Sequence, residues 1–444
     1  MDQTIVQTLQ REFTGEVILP QDGAYEQARA VYVGKGSPAI VLRPASPADV
    51  ASAIRFAVSN SLAISVRSGG HSVAGLSTSN GGVVIDLSSI NGVDILDRSK
   101  GIVRIGSGAT WKQVAVALQE HGLALSSGDT ASVGIGGLTL GGGIGWMVRK
   151  HGLTIDHMIA AELVTASGEM LRVSAEEYPE LFWAIRGGGG NFGVVTHFEF
   201  AAHPVRQVYS GMIIYSLENV QALLAGWRDA MRAAPEELTV MFLLLPSMMG
   251  NPPAAIAWCC YAGDEEQEAM KAIDPLLRIG TVVQNMVTRK NYSEVLEEAH
   301  PPDGVNVVVQ NGFVEHLTDD LLAELARHYG KAASPALQIR YLRGAINRVP
   351  ADATAFAHRT SEALLIPAIF LPLDASEADI HAAMTPWKAI APFCCGGYVN
   401  FFSTSTDEDV AACYPKATYE RLSKVKKTFD PGNIFRQNYN VKPM

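Results

Sequence analysis

Val66-Arg67-Ser68-Gly69-Gly70-His71-Ser72-Val73-Ala74-Gly75 sets a histidine inside a glycine-rich turn, directly after the short apolar run Ile64-Ser65-Val66. Without a Cβ, glycines let backbone N–H groups approach an anionic group closely. A histidine held in that turn lies within reach of whatever the glycines cradle. Alone, the stretch fits either a phosphate- or cofactor-binding loop or a plain turn.

Two further segments bear on that choice. Residues 128–153 read GDTASVGIGGLTLGGGIGWMVRKHGL, with seven glycines from Gly134 to Gly145 among Val133, Ile135, Leu138, Leu140 and Ile144. A flexible linker would carry Ser and Thr in place of so many aliphatic residues. Backbone buried flat against a large ligand explains the composition better. In the other segment, Leu181-Phe182-Trp183-Ala184-Ile185 predicts a short apolar helix that breaks into Gly187–Gly190 and enters a strand at Val194. Gly141-Gly142-Gly143-Ile144-Gly145 lacks the strand, GxGxxG, helix order and the acidic residue of a dinucleotide fingerprint. No glycine run ends in Gly-Lys-Ser/Thr, which excludes a P-loop.

Arg67–Gly75, Thr130–Gly145, Arg149–Leu153 and Trp183–Thr196 together resemble the FAD-binding half of the berberine-bridge-enzyme-like oxidases, within the vanillyl-alcohol-oxidase superfamily. The C-terminal run from Tyr419 through Asp430-Pro431-Gly432-Asn433 to Asn440 is similar to that family's closing signature. Within the family, the His71 and Gly134–Gly145 segments most resemble bacterial hydroxynicotine-oxidase-like members. The resemblance implies an α+β fold: a PCMH-type FAD-binding domain plus a substrate domain whose large antiparallel sheet, covered by helices, roofs the flavin.

Bulk properties agree with a globular enzyme. The 444 residues exceed one ordinary domain, and 48% hydrophobic with 18% charged residues supplies ample core. A net charge of −10 argues against a nucleic-acid or anionic-membrane partner. The N-terminal MDQTIVQTLQREF has neither the basic nor the apolar region of a secretory signal, so a cytoplasmic location is expected. Cys259, Cys260, Cys394, Cys395 and Cys413 follow neither disulfide nor zinc-site spacing; reduced thiols and no metal are expected. Partners reduce to a small-molecule substrate and O2, with a monomer or homodimer.

Local patterns give the organisation. Ser46-Pro47-Ala48-Asp49 caps a helix whose Val50, Ile54, Ala57 and Val58 form a buried stripe. Thr110-Trp111-Lys112-Gln113 reads as a capping box, with Val114 and Leu118 inward and Gly122 as a stop. Short strands and helices alternate to about residue 205, defining an FAD-binding domain over 1–205. Longer strands over 240–245, 254–261, 305–314 and 364–371, with helices over 219–232, 319–329 and 377–390, define a substrate domain over 206–401. Residues 402–444 are expected to return to the FAD domain.

The family resemblance carries the chemistry. It implies that a ring nitrogen of His71 joins the flavin 8α carbon; the plain alternative is a turn histidine hydrogen-bonding a phosphate. Relatives that add a cysteinyl bond have Cys where this chain has Thr130, so attachment through His71 only is expected. Val133 occupies a gate position near the flavin, and its small side chain favours an oxidase. Arg67, Ser68, Gly69, Gly70 and Ser72 are expected around the pyrophosphate. Gly134, Gly136, Gly137, Gly141 and Gly142 are expected under the ring and ribityl chain, Val195 at the adenine, and Asn438 and Asn440 at the isoalloxazine. Gly397–Phe401 resembles the family's Tyr-Val-Asn-Tyr strand, whose residues i and i+2 share a face, so Tyr398 and Asn400 are the catalytic candidates. Phe401 stands where several relatives have a second tyrosine serving as base, which moves proton acceptance to Tyr398 or elsewhere. Trp146, His358 and Arg359 are candidate substrate contacts.

The resulting expectation is an FAD oxidase that takes a hydride from an aromatic or cyclic alcohol, amine or phenol onto flavin N5 and reduces O2 to H2O2. The alternatives are a dehydrogenase with another electron acceptor, or a resistance protein that sequesters a metabolite.

Overall fold

Three consecutive apolar runs, Ile40–Arg43, Ile64–Arg67 and Val83–Asp86, pair in parallel, with Val83–Asp86 in the middle. Their near-continuous burial is what a strand covered on both faces requires. Glu16–Ile18 adds an antiparallel edge to this sheet in the computed structural model, which describes residues 9–248, 250–298 and 304–444. The first eight residues of the N-terminal stretch quoted above lie outside that set.

The helix Pro47–Ser59 covers this sheet. Its Ser46 side chain accepts from the Asp49 N–H, and Val50, Ile54 and Ala57 are buried as expected. Val58 is exposed instead; Ala51 and Ala53 complete the buried face. Thr110 and Gln113 form the expected capping box on the helix Trp111–Gln119. A second, antiparallel sheet runs in the order Val93–Asp97, Ile102–Gly106, Val194–Ala201, Met158–Val164, Met170–Ser174.

The largest sheet, nine-stranded among the described residues, is antiparallel throughout. Gln207–Tyr215, Ala254–Tyr261, Leu238–Leu245, Ala336–Tyr341 and Ala363–Pro372 follow one another across its body. Its outer face carries Val240, Phe242, Leu244, Ile339 and Leu365, packed against Leu223, Leu224 and Trp227 of the helix Val220–Ala233 and Leu321, Leu322 and Leu325 of the helix Asp319–His328. The fold is therefore the mixed one expected, with a large antiparallel sheet under helices.

Two predicted elements divide. The run 305–314 becomes the strands Val305–Val309 and Gly312–Val314, because Pro367 on the partner strand has no N–H to donate at the break. The helix predicted over 377–390 becomes Glu377–Ala383 and Thr385–Ile390, with Pro386 opening the second. Among the described residues no helix is long and apolar enough to cross a membrane.

The tail locks onto the first half through buried polar groups. Lys426 Nζ pairs with Asp430 at 2.7 Å, both side chains being fully buried, and donates to the Asn191 carbonyl at 2.7 Å. Asp430 also accepts from the Ile434 and Phe435 N–H groups, which shapes the Pro431-Gly432-Asn433 turn. Asn191 in turn accepts from the Val441 N–H.

Three histidines meet where the second sheet joins this scaffold. His203 Nε2 and His157 Nδ1 lie 3.0 Å apart, and His151 stacks on His203 at 3.8 Å. Burial, with the neighbouring histidines adding to it, holds His151 and His157 down to about 3. Both are neutral when folded, whereas in the unfolded chain they protonate below about 6.5. The unfolded state therefore binds more protons in that window, and stability falls as pH drops from 7 toward 4. His157→Gln should flatten this part of the melting temperature against pH curve, measured by circular dichroism.

Candidate active site

The loop after the strand Ile64–Arg67 lies against the turn at Gly134, backbone on backbone. A Cβ on Gly69 would sit 2.2 Å from the Gly134 nitrogen, and one on Gly134 would sit 2.0 Å from the Gly69 nitrogen. Ser68 Oγ donates to the Ser107 carbonyl at 2.6 Å and accepts from the Gly136 N–H at 3.2 Å. Trp111 N–H to Val133 O and Ile135 N–H to Ala109 O fix the other side of the turn. Gly70 has φ +74, a left-handed conformation that turns the chain toward His71.

Above these glycines opens a cavity of about 740 Å³, near the upper end of the usual range for ligand sites. His71 stands in its wall, its Nε2 3.1 Å from Ser132 Oγ and its ring stacked on Tyr32 at 4.4 Å. Of the expected cofactor residues, Ser68, Gly69, Gly70, His71, Ser72, Thr130, Val133, Gly134, Gly136, Gly137, Gly141, Val195 and Asn438 all line this one cavity. Tyr398 and Asn400 also line it, set against the Leu138–Gly143 end of the glycine segment.

Several expected residues lie elsewhere. Arg67 is buried in an ion pair with Asp86, 3.0 Å, its direct partner across the parallel strands, so it braces the base of the loop. Gly142 and Asn440 are outside the cavity lining; Gly142, at φ +133, leaves room for Phe356 and Tyr398. Trp146 is buried core, packed on Trp258 at 5.2 Å. His358 stacks on Phe313 and bonds the Cys413 carbonyl at 3.1 Å, and burial lowers its pKa. Arg359 makes a two-pronged ion pair with Asp156, at 2.8 and 2.7 Å. These three hold the scaffold and make no cavity contact.

Gly397–Phe401 is not a strand. Asn311 takes both backbone bonds of Tyr398, donating to its carbonyl at 3.1 Å and accepting from its N–H at 2.7 Å, where a strand neighbour would have bonded. Freed from a ladder, Val399–Phe401 coils into a single 3₁₀ turn. Tyr398 and Asn400 still converge: Asn400 Nδ2 donates to the Tyr398 hydroxyl oxygen at 2.8 Å, and the Gly143 N–H donates to the same oxygen at 2.9 Å. Those two donors stabilise a phenolate, but burial outweighs them and raises the Tyr398 pKa above its usual 10. Tyr398 is thus a neutral phenol at physiological pH. With both lone pairs engaged, its own proton is left to donate.

Sequence reasoning missed Tyr32, Asp129, Gln338 and Arg340, all in the lining. Asp129 stood in the glycine-rich segment beside Thr130, whose hydroxyl donates to it at 3.1 Å. Gln338 and Arg340 were detectable as polar residues two apart in an apolar strand, which puts them on one face. Tyr32 lies in a segment without a periodic signal.

The matches to known proteins follow the same geometry. A family model described as FAD binding domain matches residues 38–174, and one described as berberine and berberine like matches residues 397–442. The (R)-6-hydroxynicotine oxidase of Paenarthrobacter nicotinovorans is 31% identical, over 97% of each chain. A xylooligosaccharide oxidase of Thermothelomyces thermophilus is 27% identical, over 92% of this chain and 88% of its own. The crystal structure of 6-hydroxy-D-nicotine oxidase from Arthrobacter nicotinovorans superposes with a TM-score of 0.88 at 29% identity, covering 97% of this chain and 98% of that one. This chain therefore belongs to the berberine-bridge-type FAD-linked oxidoreductases.

The residues present fit FAD. Glycines form the cavity floor, and a Cβ on Gly137 or Gly190 would meet only open space there. Asn438 lines the cavity with a buried Oδ1 that has no hydrogen-bond partner among the described residues, an acceptor for a cofactor N–H. Two substitutions separate floor from cavity. Gly134→Ala forces backbone apart at Gly69 and should cost about 1–3 kcal/mol of stability. Gly137→Val should leave the melting curve of cofactor-free protein unchanged while lowering flavin bound per chain, read from the visible absorbance.

Proposed function

We propose that this chain is an FAD-dependent oxidase, tethering its flavin through His71 alone and acting on a small alcohol, amine or phenol. The observation that carries the tether is the wall of the cavity itself. His71 stands in it, held by Ser132 and Tyr32, while none of the described cavity-lining residues is a cysteine. Thr130 lines the cavity, and a threonine cannot make a thioether.

Ser68, Gly69, Gly70 and Ser72, with Gly134, Gly136 and Gly137, would hold the cofactor through backbone groups and hydroxyls, and Val195 and Asn438 would add contacts at the second strand and the tail. Bound there, the flavin supplies a hydride acceptor and a route for electrons to dioxygen, with hydrogen peroxide as product. Val133, in the lining, is the small gate residue that this reading assigns to dioxygen access. Tyr398 acts as a donor: its hydroxyl, oriented by Asn400 and the Gly143 N–H, bonds a substrate oxygen or nitrogen and orients the molecule. A standing base is absent from this reading, because a phenol raised above 10 is a poor proton acceptor near pH 7. An amine reacting as the free base needs none. The relatives named for hydroxynicotine and for xylooligosaccharides bracket the substrate range.

Acid precipitation of the yellow protein should leave the colour in the pellet, and His71→Ala should release it to the supernatant. A colourless wild-type pellet would refute the tether. Tyr398→Phe should keep its flavin but lower kcat/KM by roughly a hundredfold, the usual cost of one oriented donor. Oxygen uptake on the best substrate of an alcohol, amine and sugar screen provides the readout.

A further inference from the structure

The roof of the cavity is one face of the nine-stranded sheet, and its composition is lopsided. Leu243, Val307, Val309, Ile366 and Phe370 come from three strands and present only hydrocarbon. The strand between them, Ala336–Tyr341, supplies the polar groups, Gln338 and Arg340, two residues apart on the cavity face. Register sets Gln338 directly opposite Leu243 on one side and Ile366 on the other. The amide is thus flanked by hydrocarbon on both neighbouring strands.

Arg340 is committed already. It pairs closely with Asp129, donates to the Ile144 carbonyl at 3.2 Å, and its guanidinium lies over the Phe401 ring at 4.9 Å. The charge of Asp129 is balanced by Arg340, and its carboxylate also accepts from the Thr130 hydroxyl. Among the described residues, this end of the cavity therefore offers a substrate no unbalanced charge. Gln338 differs. Arg340 Nε donates to an oxygen, 3.0 Å, and since arginine has only donors this fixes Gln338 Oε1 on its side. The amide nitrogen is left with the Met241 thioether at 3.2 Å, a weak acceptor, as its hydrogen-bond partner. A half-satisfied amide donor in an apolar roof is a recognition element.

Resting on the flavin-oxidase reading, we propose that the substrate is an uncharged, largely apolar molecule that presents one hydrogen-bond acceptor to the Gln338 amide, and that Gln338 is the specificity residue. The class excludes oligosaccharides, most of whose hydroxyls would be stripped of water against Leu243, Val307 and Ile366 with too few partners to bond. It also excludes organic cations and anions, which would find the Arg340–Asp129 pair already closed.

Isothermal calorimetry on the holoprotein tests this with four probes: benzamide, toluene, benzylammonium and cellobiose. Benzamide should bind most tightly, toluene more weakly, and cellobiose at millimolar concentration should give no binding heat. Gln338→Glu keeps the oxygen that Arg340 needs, replaces the donor by an acceptor and adds a negative charge. It should weaken benzamide about three- to tenfold, leave toluene unchanged and favour benzylammonium. Gln338→Leu should likewise erase the benzamide preference, should the first variant be poorly folded. Binding of cellobiose, a wild-type preference for benzylammonium, absence of benzamide binding, or equal losses for benzamide and toluene would each overturn the proposal. A protein that purifies without flavin would instead refute the oxidase reading, and the calorimetric ranking would still report on the roof.

Discussion

Everything at the site depends on two stretches of main chain touching where side chains would ordinarily keep them apart. The Gly69 and Gly134 backbones meet at a separation that no Cβ tolerates on either side. Ser68 bridges the two by bonding Ser107 and Gly136 at once. This contact sets the height of the cavity floor. It also brings Ser132 beside the His71 ring, so the imidazole and the glycine bed are positioned by one event.

The roof is tied to that floor by buried cations. Arg149 leaves a short helix beside the glycine segment and reaches five carbonyl oxygens, those of Met231, Ala234, Pro235, Leu238 and Arg343. Three of these lie at or just beyond the C-terminal end of the helix Val220–Ala233, where the helix dipole is negative. Burial lowers the guanidinium only to about 10, so it stays charged near pH 7. Arg340 and Arg359 make comparable joints to Asp129 and Asp156. Such pairs add little net stability against an apolar alternative, but a broken one leaves a stranded charge. Their effect is to hold the two halves in one relative orientation.

Much of this architecture was legible in the chain. The caps at Ser46 and Thr110 act through local hydrogen bonds, which depend on residues three apart, and both formed as read. The glycine segments announced the cavity because their aliphatic neighbours exclude a linker. Long-range effects were not legible. Asn311, far away in sequence, takes over the backbone of Tyr398 and turns an expected strand into a coil. Motif position also did not distinguish a residue facing the cavity from one bracing it: His358, Arg359 and Trp146 sit in the right neighbourhood but turn their polar atoms or rings into the interior. Gln338 was hidden because one amide in a hydrophobic strand carries meaning only once its cross-strand neighbours are known.

The large sheet has two independent sides. Odd and even positions of Leu238–Leu245, Ala336–Tyr341 and Ala363–Pro372 serve different masters, one set gripping the helices and the other facing the cavity. Inheritance can therefore repaint the ceiling, one alternate residue at a time, without loosening the wall that bears it. A single scaffold of this build can diverge toward very different molecules while its redox centre stays where it was.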